Sequence, residues 1–125
     1  VWRALLVGIG GFAGSVGRYW LAGGVQRLTD LDFPAGTLAV NVAGSLLLGV
    51  LMTASIERGL LDPDLRLLVA VGFCGGFTTM STFSFETFSL VEKGLTGLAF
   101  GNVALTLLSC LASVWAGSVL VRLLW

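Results

Sequence analysis

The chain is predicted to be an all-α integral membrane protein with four transmembrane helices, the third of them broken. Three observations carry that expectation. Mean hydropathy is +0.97, and charged residues make up only 11% of the 125, against roughly 25% in a soluble domain. Apolar stretches of about 20 residues, long enough to cross a bilayer as a helix, recur four times. They lie at about 4–26, 35–56, 66–91 and 96–122 and are read as one membrane domain over 1–125. Inside the third, residues 72–86 read GFCGGFTTMSTFSFE and set Gly72, Gly75 and Gly76 against Thr78, Thr79, Ser81, Thr82 and Ser84. Glycine is a poor helix former, and Ser and Thr compete with the backbone for hydrogen bonds. A break at membrane depth is tolerated only where it is buried in protein or lines a wet cavity. The third span is therefore expected to be discontinuous, with freed backbone groups and hydroxyls available to an ion.

Composition also excludes. Seven basic and seven acidic side chains cancel, which leaves no electrostatic case for a nucleic-acid partner. The absence of histidine removes imidazole metal sites and the Ser-His and Cys-His nucleophile pairs, so no enzyme is expected. Cys74 and Cys110 lie in apolar segments and read as small packing residues.

The connectors carry both prolines and most of the charge: Arg27, Asp30, Asp32 and Pro34, then Glu57, Arg58, Asp62, Pro63 and Asp64, then Glu92 and Lys93. Their shortness makes each helix run back against the one before. The first span, ALLVGIGGFAGSVGRYWLAGGVQ, is studded with glycine and does not read as a cleaved signal peptide. Gly10 and Gly14, Gly11 and Ser15, Gly72 and Gly76, and Gly97 and Gly101 form small-xxx-small pairs, the spacing that lets helix backbones approach closely in lipid. Four helices bury little among themselves, so an oligomer is expected. Arg18, the only basic residue well inside a span, reads either as an interfacial anchor with Tyr19 and Trp20 or as a cation drawing anions into a vestibule.

The second span carries Asn41, whose two N–H donors can glue helices together or serve an anion. In the third, Phe73, Phe77, Phe83, Phe85 and Phe88 read as packing, or as rings turning a positive edge toward an anion. Glu86, the one carboxylate well inside a span, reads as a proton relay, an ion gate, or a partner for Arg18 or another cation. The fourth sets Asn102, Thr106 and Cys110 on one helix face, with Ser109 and Ser113 beside them. That row is a polar track, or a set of hydroxyls returned to the i−4 carbonyl. Arg3, Arg58, Arg66 and Arg122 mark one membrane face and Arg27 and Lys93 the other. So weak a bias is compatible with insertion both ways.

Three ordered motifs then resemble one family. GGFAGSVGRYW, PAGTLAVNVAGS and GFCGGFTTMSTFSFE are similar, over essentially the whole chain, to the Fluc (CrcB) fluoride channels of bacteria. The third is close to the signature GGxTTFSTFSxE. The resemblance implies passive, fluoride-selective export across the bacterial cytoplasmic (inner) membrane, protecting the cell from fluoride. It implies an antiparallel, dual-topology homodimer with two pores. It further implies a structural sodium ion at the dimer centre, held by the carbonyls of Gly75 and Thr78. Asn41 and Phe83 then line the fluoride path, Thr79, Ser81 and Thr82 form its polar wall, Glu86 lies near one end, and Arg18 sits in the vestibule. Asn102 and Thr106 match more loosely. Met80 stands where the signature has phenylalanine, as a natural variant or an engineered substitution. It keeps bulk and a polarizable sulfur but loses the ring edge.

The physics is compatible with that implication. Fluoride holds its water tightly, so fixed donors must replace the shell, and conduction needs binding weak enough to release. Neutral amides, hydroxyls and helix N-termini meet both demands. They do not separate fluoride from chloride, nor passive from proton-coupled passage. A dual-topology multidrug exporter would share the size and weak charge bias but calls for an acid in the first span, where this chain has Arg18. A purely structural membrane protein would explain the glycines but not Asn41 and the mid-membrane hydroxyls.

Overall fold

The computed structural model describes residues 1–125. Helix α1 is Trp2–Arg27 and α2 is Ala35–Ile56. Helix α3 covers residues 63–77, α4 is Met80–Glu92 and α5 is Thr96–Leu124. No strand is present.

Helix α3 begins ahead of the apolar run that marks it in the sequence. Asp62 accepts a hydrogen bond from the Leu65 N–H at 2.7 Å, and Pro63 takes the first helical position, where its missing N–H costs nothing. From Leu67 to Cys74 the winding widens to π-helical before a last turn at Gly75–Phe77. At the other connectors, Gln26 ties α1 to α2. Its amide donates to the Phe33 carbonyl at 3.1 Å and accepts from the Gly36 N–H at 3.0 Å. Gly94, at φ +80°, turns the chain from α4 into α5, a left-handed conformation that a side chain disfavours.

Successive long helices run antiparallel, so α1 lies parallel to α3, and α2 parallel to α5. Glycine makes both parallel seams. A Cβ on Gly10 or Gly14 would run into the carbonyls of Leu68 or Phe73, and one on Gly72 or Gly76 into the backbone of α1. The α2–α5 seam is a ladder with four-residue steps on both sides. Gly49 lies against the Val114 backbone, Thr53 donates to Ser118 Oγ at 2.7 Å, and Glu57 pairs with Arg122 at 2.6 Å. Gly97 and Gly101 face open space, so this pair packs against none of the chain's own helices.

Only 22 of 125 residues are buried, too few for a core that holds up in water. Phe12, Trp20, Phe85, Phe100, Leu108 and Trp115 stand on the outside instead. Large apolar side chains over the outer surface, around a glycine-packed interior, are the arrangement of a protein solvated by lipid. Three segments are long and apolar enough to span a membrane: Ala35–Ile56, Pro63–Glu92 and Thr96–Leu124. Helix α1 matches them in length with 26 residues; its glycines and Arg18 dilute its hydropathy. The molecule is a multi-pass, all-helical membrane protein.

Candidate functional site

The helix breaks at Thr78 and Thr79. Both are extended, at φ −90°, ψ 161° and φ −152°, ψ 124°. Each freed backbone group that finds a partner finds it on a neighbouring helix or a local side chain. Asn41 clamps the break: its amide oxygen accepts from the Thr79 N–H at 2.8 Å, and its Nδ2 donates to the Thr79 carbonyl at 3.1 Å. Arg18 Nε donates to the Gly76 carbonyl at 3.0 Å. Thr78 folds back, its N–H and Oγ1 donating to the Cys74 carbonyl at 3.0 and 2.9 Å. Thr79 caps α4, its Oγ1 accepting from the Thr82 N–H at 3.2 Å, as a good N-cap residue does. Room for this comes from Gly44, one turn after Asn41, where a Cβ would strike the Thr78 methyl.

Two of the carbonyls that the break leaves without a partner are those of Thr78 and Gly75. No hydrogen bond reaches the Thr78 carbonyl. The Thr79 N–H that a continuous helix would give to Gly75 goes to Asn41 instead. Gly75 itself is exposed, with no neighbour within 4 Å of where a Cβ would stand.

Beside the break lies a cavity of about 430 Å³ between α2, α3, α4 and α5. It brings together Asn41, Gly75, Thr78, Thr79, Met80, Phe83 and Thr106. Phe83 is buried, whereas Met80 is 68% exposed at the rim. Ser45, Cys74 and Cys110 also line it. Cys110 was legible as the third member of the Asn102–Thr106 row; nothing in the sequence signalled Ser45 or Cys74 as lining.

Ser81, Thr82, Glu86, Asn102 and Arg18 do not line the cavity. Ser81 lies 3.4 Å from the Thr79 hydroxyl. Asn102 is buried and links helices: its Nδ2 donates to Thr87 Oγ1 at 2.9 Å, and its Oδ1 accepts from Thr106 at 3.3 Å. Thr87 in turn donates to the Phe83 carbonyl at 2.8 Å. Ser109 and Ser113 return their hydroxyls to the carbonyls of Leu105 and Ser109, so the neighbouring row is back-bonded. The Arg18–Glu86 pairing does not form. Arg18 serves Gly76, and the one salt bridge is Arg122–Glu57. Glu86 is half-buried, and its Oε1 is shielded without a partner. Among the aromatics, Phe73 and Phe77 stack with each other at 5.4 Å and serve packing, while Phe85 and Phe88 are exposed.

A broken helix, clamped by an amide from its neighbour and set beside a largely apolar cavity that a few polar groups enter, defines a multi-pass membrane protein organised around that break. Residues 5–118 match the family model described as "CrcB-like protein, Camphor Resistance (CrcB)", and the chain belongs to that family. It is 48% identical over 120 residues to the "Fluoride-specific ion channel FluC" of Anaeromyxobacter dehalogenans, covering 96% of this chain and 95% of that one. It is 48% identical over 118 residues to the protein of the same name from Geobacter sulfurreducens, covering 94% and 95%. With the one from Koribacter versatilis it shares 41% over 118 residues, covering 94% of each.

Proposed function

We propose that this chain forms a fluoride-selective channel that exports fluoride passively across the bacterial inner membrane. The observation that carries the reading is the Asn41-clamped break opening on the cavity, in a chain similar end to end to proteins named as fluoride channels. Asn41 spends one of its two N–H groups on Thr79 and keeps the other for an anion in the cavity it lines. The N-terminal end of α4, the positive end of its dipole, abuts the same cavity at Met80. Thr106 gives its proton to Asn102, so it joins the path only by exchanging that bond. Ser81, Thr82, Glu86 and Arg18 fall to the approaches rather than the cavity. No Lys or Arg lines the cavity, so an anion is held by neutral donors and can leave.

The working unit in this reading is an antiparallel, dual-topology homodimer with two pores. Gly75, Gly97 and Gly101 stand open and Met80, Phe85 and Leu111 are exposed, which supplies an uncovered face at the break and on α5. The donor chemistry fits a structural sodium ion at that face: a hard cation takes oxygen ligands, and the free Thr78 carbonyl, with that of Gly75, would hold it. Sodium there would neutralise carbonyl dipoles at the break. Replacing sodium by an organic cation should reduce flux while the protein stays folded by circular dichroism. Undiminished flux after exhaustive sodium removal would set the ion aside.

Fluoride and chloride efflux from liposomes carrying the purified chain, under an imposed potential, tests the main reading. Rapid fluoride loss with chloride retained is expected. Retention of both, with cationic-dye export on a proton gradient, would assign the chain to the exporters instead.

A further inference from the structure

The cavity at the break holds three sulfur-bearing side chains, delivered by three elements. Cys74 comes from the end of the π-helical stretch of α3, Met80 from the first residue of α4 and Cys110 from the middle of α5. Both cysteines are free thiols, and no hydrogen bond engages either sulfur. No carboxylate lines the cavity, so nothing there favours a hard or borderline divalent cation by charge. Thiol and thioether are soft ligands, which select cations such as Cu(I), and Ag(I) shares that chemistry.

We infer that Cys74, Cys110 and Met80 together form a binding site for one soft monovalent cation of the Cu(I)/Ag(I) class, and that its occupation closes the cavity. One thiol gives its proton to bulk water as its sulfur–metal bond forms. The second thiol and the thioether bind as neutral donors. One thiolate and one monovalent cation make a neutral complex, so no net charge is left buried in a largely apolar cavity. A second thiolate would leave a negative charge there, which limits the exchange to one proton per cation. The closing of the cavity to fluoride rests on the channel reading above; the binding of the cation does not.

Silver nitrate titrated into the full chain in detergent, in chloride-free buffer, reads the site directly by calorimetry and proton release. The expected result is one silver ion and one proton per chain. Affinity should fall at least tenfold in Cys110→Ser and in Met80→Leu, and be lost in the double variant Cys74→Ser/Cys110→Ser. The parent chain gives a check that needs no variant: one equivalent of silver should shield the half-buried Cys110 thiol from maleimide. In liposomes the same equivalent should stop fluoride loss from the parent and leave the double variant at the rate it shows without silver. Two silver ions per chain, an affinity indifferent to Met80, or fluoride loss undiminished at saturating silver would each overturn the inference. A parent chain that binds one silver ion but passes no fluoride even without it counts against the channel reading and upholds the sulfur site.

Discussion

Asn41 is the residue on which the break depends. Replacing it by alanine leaves the Thr79 N–H and carbonyl unpaired in a setting where water is scarce, at about 1–3 kcal/mol for each group. Asn41→Ala should therefore lower thermal stability in detergent and abolish fluoride efflux together. Asn41→Asp keeps the acceptor for the Thr79 N–H, loses the donor to its carbonyl and adds a negative charge, so stability should drop less than flux. Equal stability of Asn41→Ala and the parent would show that the clamp is incidental. The sequence made legible that an amide in an apolar span must find partners. That the partner is backbone two helices away in sequence depends on Gly44 and Thr78 meeting, which no local pattern encodes. At the membrane surface, the hydrogen bond from Arg122 holds the Glu57 carboxyl below its usual range, with the Arg122 charge adding to the effect. A depressed folded pKa contributes stability above the unfolded value, and that contribution is lost as pH falls through the folded one. Melting temperature should thus decline on acidification below the ordinary carboxylate range. In Glu57→Gln that decline should be shallower, a comparison scanning fluorimetry can make.

At the level of helices, the seams are fixed by where side chains are missing. Gly14→Ala pushes a methyl into the Phe73 carbonyl and should destabilise by about 1–3 kcal/mol through overpacking. Gly101→Ala meets open space in the single chain and should leave the chain's own fold intact, with any effect confined to its association. Parallel unfolding of both variants in detergent distinguishes them; an equal loss would mean that the close approach at the α1–α3 seam is not what Gly14 supplies. Gly10 and Gly14 were readable because they recur at helical spacing. Gly49 and Gly117 were not, since neither has a second glycine four residues away and only the fold brings it to a backbone. The interruption near residues 75–79 was legible from its glycines and hydroxyls. The π-helical stretch before it was not, because LLVAVGFC is an ordinary apolar run. Within it Gly72, and just after it Gly76, meet the α1 backbone.

Across the whole molecule, the membrane class was plain from composition, because the scarcity of charge needs no knowledge of contacts. The cavity was not, because its walls come from four helices distant in sequence. The exposed face at Gly75, Gly97 and Gly101 leads to an expectation at this scale. The chain should run as a dimer by mass measurement in mild detergent, and a tryptophan at Gly97 or Gly101 should shift it toward monomer; a stable monomeric parent would remove the basis for the two-pore reading. A further consequence follows from the glycine seams beneath the apolar exterior. In a water-soluble domain the bulky residues resist replacement and the small ones drift. Here the order is inverted: Ile9, Phe12 or Trp20 face outward and can exchange among lipid-soluble neighbours, while Gly10, Gly14, Gly49 and Gly117 each sit where a Cβ would strike backbone. Over generations, such a protein should keep its smallest residues and be free to rewrite its largest.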